Sequence, residues 1–201
     1  MTSKEEIVEQ TNLAFDFIQK LYFEVSYLIK EIEGILHEED EKFVIARPAG
    51  YGISAKSSTG LESNNVDFWL LKKFSVYFLP EEKTKLQRGQ TITKIDEHLK
   101  TIYLRIVLDD KNIDEPAVYS GVFYNFHIKP GCKWIVKFEN IAGHLEYNDT
   151  KIFKHERKVD FENAYIKFQG ELIKSNLFDI NDSETILNKI IKPTLALYRK
   201  Y

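Results

Sequence analysis

The chain has almost no cysteine. Cys132 is the only one in 201 residues, so no internal disulfide can form and the stapled frameworks of small secreted domains are excluded. A lone cysteine reads as a small buried hydrophobe rather than a nucleophile. A dominant charge sign is also missing. With 28 lysines and arginines against 31 aspartates and glutamates, the net charge is −3, which sets up no global positive field for nucleic acid or an anionic membrane. No uncharged run reaches the ~18 residues of a membrane span. The opening Met1-Thr2-Ser3-Lys4-Glu5-Glu6 is too acidic for a signal peptide. These absences give the expectation of a cytoplasmic protein with no membrane segment. There is no internal repeat and no proline-rich linker, so residues 1–201 are expected to form one domain.

What is present is an α+β pattern. Ser3 and Glu6 stand at capping-box spacing, and a helical stripe follows at once. Three rows lie side by side at about 100° per residue: Ile7, Ala14, Leu21, Leu28, Ile35; Thr11, Ile18, Val25, Ile32; and Val8, Phe15, Tyr22, Ile29, Leu36. Three rows suit a helix laid on a sheet, whereas a two-stranded coiled coil needs two. The stripe continues past Gly34, so the helix is expected to run to about His37, a length of about 50 Å. Its far side carries Leu13, Phe17, Phe23 and Tyr27. A helix apolar nearly all round should be buried nearly all round, so the middle of this helix is expected to have something on both sides.

From Phe43 the period changes to two. Strands are expected over Phe43–Arg47, Val66–Leu79 ended by Pro80, Thr101–Leu108, Ala117–Ile128 and Lys133–Glu139, with weaker ones near Lys151–Val159 and Asn163–Phe168. Glu81–Gln90 reads as a charged connection. Short connections favour an antiparallel meander. Asp182 or Ser183 caps a C-terminal helix that Pro193 kinks or restarts. The expected layout is a long N-terminal helix over 1–38, an antiparallel sheet of five to seven strands over 43–170, and a C-terminal helix over 183–201.

Three stretches approach known chemistry. Gly50 to Ser57 matches a phosphate-binding loop except at Ala55, where a glycine must admit the phosphate, and no helix start follows. It reads as a surface loop. Asp110-x-Asn112-x-Asp114 opens like a calcium loop, but Glu115 stands where the turn glycine belongs and Gly121 where the bidentate glutamate belongs. Asp109 and Asp110 at a strand end retain the chemistry to hold a divalent metal if the fold supplies partners. Third, one sheet face would carry Tyr103 and Arg105, with Tyr119, Phe123 and His127 beside them, then Lys133, Ile135 and Lys137, joined by Trp69, Lys73 and Tyr77. Aromatics interleaved with cations can stack bases and neutralise phosphates, though an aromatic-rich face is more often covered.

No catalytic triad or nucleophile elbow can be assembled, and no cofactor is expected. The favoured reading is an interaction or regulatory domain that meets a protein partner or itself through Leu13, Phe17, Phe23 and Tyr27. The alternative is a nucleic-acid or nucleotide-processing protein using Tyr103, Arg105, Lys133 and Lys137 with a metal at Asp109 and Asp110.

Overall fold

A computed structural model of the chain describes residues 3–45, 72–87, 90–93, 95, 98–132 and 157–201. The expected strand Lys133–Glu139, the first half of the strand expected from Val66, the near phosphate-loop at Gly50–Ser57, and Trp69, Lys133, Ile135 and Lys137 lie outside these residues.

Helix α1 (Lys4–His37) starts where its capping box predicts. The Ser3 hydroxyl accepts from the Glu6 N–H at 3.2 Å, and the Ser3 N–H donates to Glu6 Oε2 at 2.7 Å, which satisfies two of the free donors at the helix start. The buried positions are Val25, Leu28, Ile29, Ile32 and Leu36, an i, i+3, i+4, i+7 stripe confined to the second half of the helix. Gly34 is helical, and a Cβ added there meets nothing within 4 Å. Gly34→Ala is therefore expected to stabilise the fold by about 1 kcal/mol through helix propensity alone. A thermal melt should show a rise of roughly 2–4 °C; a fall would mean that the glycine serves a contact outside the chain.

The described strands are β1 (Phe43–Ile45), β2 (Lys73–Pro80), β3 (Thr84–Gln87), β4 (Gln90–Thr93), β5 (Thr101–Val107), β6 (Ala117–Ile128), β7 (Lys158–Glu162) and β8 (Ile166–Asn176). Six form one antiparallel sheet in the order β1-β2-β5-β6-β8-β7, and β3 pairs with β4 apart from it. The charged connection after Pro80 thus holds a short 3₁₀ turn (Glu81–Lys83) and the first strand of this hairpin. Strand β8 runs on to Asn176, well past Phe168. Its polar Gln169-Gly170-Glu171 conceals a strand that buries Glu171.

Both faces of the sheet are apolar, so both must be covered. On one face Phe74, Val76, Phe78, Ile102, Leu104, Ile106, Val118 and Val122 meet the second half of α1 and the C-terminal helix. On the other, Tyr77, Leu79, Tyr103, Phe123, Phe161, Phe168 and Leu172 form a second, aromatic core, against which Ile95, Leu99 and the half-buried Cys132 pack. Alternation alone would put Phe126 and Ile128 with Val122 and Tyr124. A bulge intervenes: Asn125 has φ 55, and three steps on β6 oppose two on β8 between Tyr124 and His127. One extra residue reverses the facing of everything beyond it, so Phe126 and Ile128 join the aromatic core.

Asp182 caps the C-terminal helix, accepting from the Thr185 N–H at 2.7 Å. Helix α2 (Ser183–Ile186) passes through a π-helical turn (Leu187–Ile191) into α3 (Lys192–Lys200). Pro193 explains the wide turn. It lacks an N–H and its ring crowds the carbonyl four residues back, and a local π bulge relieves that crowding without ending the helix.

Candidate interaction surface

Helix α1 extends past the described strands it packs on. Every described residue from Ser3 to Phe17 is exposed, and contact with the sheet begins near Tyr22, whose ring meets Phe74 edge-on at 5.6 Å. The first half of α1 therefore projects beyond the sheet. Ile7, Val8, Leu13, Phe15, Phe17, Phe23 and Tyr27 are 50 to 66% exposed. The expectation that the whole apolar stripe lies on the sheet is corrected for this half. Its rows were predicted correctly, but at 34 residues and 1.5 Å each the helix spans about 51 Å, and the sheet covers only the later turns. Leu13, Phe17, Phe23 and Tyr27 are likewise exposed, at 61 to 66%.

The exposed apolar residues form two faces. Leu13, Phe17, Phe23 and Tyr27 lie on the side away from the core. Ile7, Val8 and Phe15 lie on the same side as Val25, Ile29, Ile32 and Leu36, so they continue the core stripe into solvent. Sequence reasoning missed these three because it took the core stripe to be covered along its full length. The helix is also acidic, with Glu5, Glu6, Glu9, Asp16, Glu24, Glu31 and Glu33 against Lys4, Lys20 and Lys30. A shallow depression beside it is lined only by α1 residues between Lys4 and Asp16, so it is helix surface and not an enclosed ligand cavity.

The aromatic and basic face has a different fate. Tyr103 and Arg105 are buried, at 1% and 5% exposure, so neither lies on an open platform. The register aligns Ser75, Arg105, Tyr119 and Lys174 across four strands. The Tyr103 and Ser75 hydroxyls share a hydrogen bond at 2.9 Å. Burial pushes the Tyr119 phenol up, against the pull of Arg105. A base cannot stack on Tyr103 while Phe123 packs against its ring at 4.7 Å and Tyr77 at 5.0 Å.

Asp109 and Asp110 are each held by a lysine at the start of β2. Lys72 reaches Asp109 at 2.7 Å, and Lys73 pairs with Asp110. Asp110 also accepts from the Asn112 N–H at 3.0 Å and its side-chain amide at 2.9 Å, an Asx turn that shapes the loop. Burial raises the Asp110 carboxyl, but Lys73 and the Asn112 N–H outweigh it and hold it below the usual range. Among the described residues no group of three His, Cys, Asp or Glu is placed to hold a metal ion.

One polar cluster was invisible in the sequence. Glu171 is buried and accepts from Tyr201 Oη at 2.5 Å, Arg157 Nε at 2.7 Å and Lys200 Nζ at 3.0 Å. The Tyr201 ring stacks on Tyr124 at 3.9 Å, and burial together with Tyr201 pushes the Tyr124 phenol up. A carboxylate neutralised by two cations is a fastener: it ties the end of α3 to β8.

The fold is α+β, with a six-stranded antiparallel sheet, a long N-terminal helix and a C-terminal helix. Among the described residues no helix is long and apolar enough to cross a membrane. No protein-family model, curated protein or solved structure matches the chain.

Proposed function

We propose that the chain is a non-enzymatic interaction domain that associates with itself through the exposed apolar side chains of α1, in the reducing setting of the cytoplasm that a lone cysteine suits. One observation carries this reading: seven large apolar side chains of α1 are half to two-thirds exposed. An aromatic side chain offers roughly 150–250 Å² and an aliphatic one somewhat less, so together they present about 800 Å². Divided between the two faces, each share lies within or near the roughly 300–600 Å² of the largest patch on a typical monomer, which is often functional. The acidic flanks of the helix disfavour nucleic acid and anionic lipid as the cover, which leaves protein. The nucleic-acid alternative has no comparable support, with Tyr103 and Arg105 buried and both aspartates paired to lysines.

Sedimentation velocity at micromolar concentration tests the reading. Wild type is expected at twice the chain mass of 23.6 kDa or a higher multiple. A double substitution on one apolar face, Ile7→Glu with Phe15→Glu, or Phe17→Glu with Phe23→Glu on the other, is expected to yield monomer with unchanged circular dichroism. These positions are exposed within the chain, so the fold should tolerate the charge. A wild-type chain that stays monomeric at hundreds of micromolar overturns the proposal.

A further inference from the structure

We infer that Tyr124 and Tyr201 form an oxidation site: a one-electron oxidant joins their rings as dityrosine, the Glu171 carboxylate takes the phenol proton, and the new bond clasps the end of α3 to β6. This stands apart from the self-association of α1 and uses none of its residues. Three contacts carry it. The two rings stack at 3.9 Å with 13° between their planes, closer and flatter than aromatic pairs usually sit. Their hydroxyls are hydrogen-bonded to each other, so the rings lie hydroxyl beside hydroxyl and the ortho carbons of one face those of the other. Tyr201 Oη in turn donates to Glu171 Oε2 at 2.5 Å, within the reach a proton acceptor needs. Two other tyrosine settings each lack a part of this. Tyr198 donates to Glu41 at 3.0 Å, but its ring meets Phe43 edge-on at 90°. Tyr77 and Tyr103 are tilted by 47° at 5.0 Å and sealed in the aromatic core.

The surroundings favour loss of the proton together with the electron. Oxidising a phenol makes its hydroxyl a far stronger acid than a carboxylic acid, so Glu171 remains a competent base even beside Arg157 and Lys200. Lys200 Nζ stands 4.6 Å from the centre of the Tyr201 ring and would repel a ring left positively charged. The neutral radical escapes that repulsion. Tyr201 is 38% exposed, so an oxidant in solution can reach it. Tyr124 is half-buried and loses its proton by way of the Tyr201 oxygen. Each ring passes one electron to the oxidant and one phenol proton toward Glu171, which gives two neutral phenoxyl radicals. Their ortho carbons couple, and each ortho hydrogen moves to its own oxygen. The net change is one carbon–carbon bond, two electrons taken up by two equivalents of oxidant, and two protons released to solvent.

Limited oxidation of the full chain by a photogenerated ruthenium(III) complex, followed by peptide mapping, tests the inference. Wild type is expected to give dityrosine fluorescence in a species of single-chain mass under denaturing conditions, lighter by two hydrogens, with Tyr124 joined to Tyr201. It should melt roughly 5–10 °C above the unoxidised chain, since the bond closes a long loop. Tyr124→Phe and Tyr201→Phe should each abolish the product, while Tyr165→Phe, at an exposed bend, should leave it. Glu171→Gln, checked for folding by circular dichroism, should slow the reaction at least about tenfold and make its rate rise with pH, where wild type stays flat from about pH 5 to 9. Dityrosine that maps elsewhere, or that forms only between chains, overturns the site. So does a product formed as readily in urea, because the fold would then not be what brings the rings together. A Glu171→Gln rate and pH profile equal to wild type overturns the carboxylate as proton acceptor. An oxidised chain that melts no higher than the unoxidised one overturns the clasp.

Discussion

Gly121→Ala is expected to destabilise the fold by at least about 3 kcal/mol, near the upper end for overpacking, and to lower Tm by roughly 6–12 °C. Gly121 sits in the middle of β6, opposite Leu172 of β8. A Cβ at this position would lie 2.0 Å from the Glu171 carbonyl oxygen and 2.9 Å from the Leu172 Cα. Both obstacles are backbone. A side chain can rotate out of the way, but a strand in the middle of a sheet cannot move without breaking the ladder on both of its sides. Here the ladder joins β6 to β8, the longest pairing in the molecule's described sheet. Gly170→Ala is the informative comparison. Its Cβ would meet the Phe123 ring at 2.4 Å and the Val122 carbonyl oxygen at 3.0 Å. That ring is fully buried against Tyr103 and Phe168, yet it is still a side chain with some freedom to shift, so the loss should be smaller than at Gly121. Urea unfolding of the two variants beside wild type reads the difference. An unchanged midpoint for Gly121→Ala would show that β8 can slide away from β6, and that this pairing is not rigid.

How much of this was legible in the sequence depends on the kind of feature. Local chemistry was. The capping box at Ser3 and Glu6, the helix end near His37, the bounds of β6 and the cap at Asp182 follow from residues within a few positions of one another, where sterics and hydrogen bonding decide. Period-two reading also put Tyr77, Tyr103, Arg105, Tyr119 and Phe123 on one face. It failed beyond Asn125, because a single inserted residue reverses the facing and leaves no mark in composition. What lies above a face was not legible. Alternation says that Arg105 and Tyr103 point the same way; only the packing of Ile95, Leu99 and the aromatic core says that Tyr103 is covered. The same gap governs α1. Its apolar excess was plain, and Leu13, Phe17, Phe23 and Tyr27, expected to meet something, are exposed. That Ile7, Val8 and Phe15 are uncovered as well follows from the extent of the sheet under the helix, a quantity fixed by pairing among strands distant in the chain. The Glu171 cluster is illegible for the same reason. Its donors come from positions 14, 29 and 30 residues away.

That cluster sets the second large expectation. Glu171→Gln should lower stability near neutral pH by roughly 2 kcal/mol, the scale of hydrogen bonds to a charged group, discounted because Arg157 and Lys200 are 70% and 56% exposed and become hydrated once released. The pH dependence separates charge from packing. The hydrogen bond from Tyr201 does most to lower the Glu171 carboxyl. Burial opposes it, Lys200 and Arg157 add to it, and together they bring the group from the usual 4.5 to about 2. A carboxyl that is more acidic folded than unfolded binds fewer protons in the native state, so its contribution is complete above about pH 4.5 and is lost as the pH falls toward 2. Wild type should therefore lose stability through that window more steeply than Glu171→Gln, which has no proton to take up there, and the two melting curves should converge in acid. Tyr201→Phe keeps a ring that can stack on Tyr124 and removes the hydroxyl that contributes most. It should bring the Glu171 carboxyl back toward its usual value and move the acid loss upward in pH. A gap between wild type and Glu171→Gln that stays constant from pH 7 to pH 2 would make Glu171 a packing residue whose charge is incidental. Convergence would make the carboxylate itself the tie between α3 and β8, and would explain why a strand that reads as polar at Gln169-Gly170-Glu171 is nonetheless sealed into the sheet.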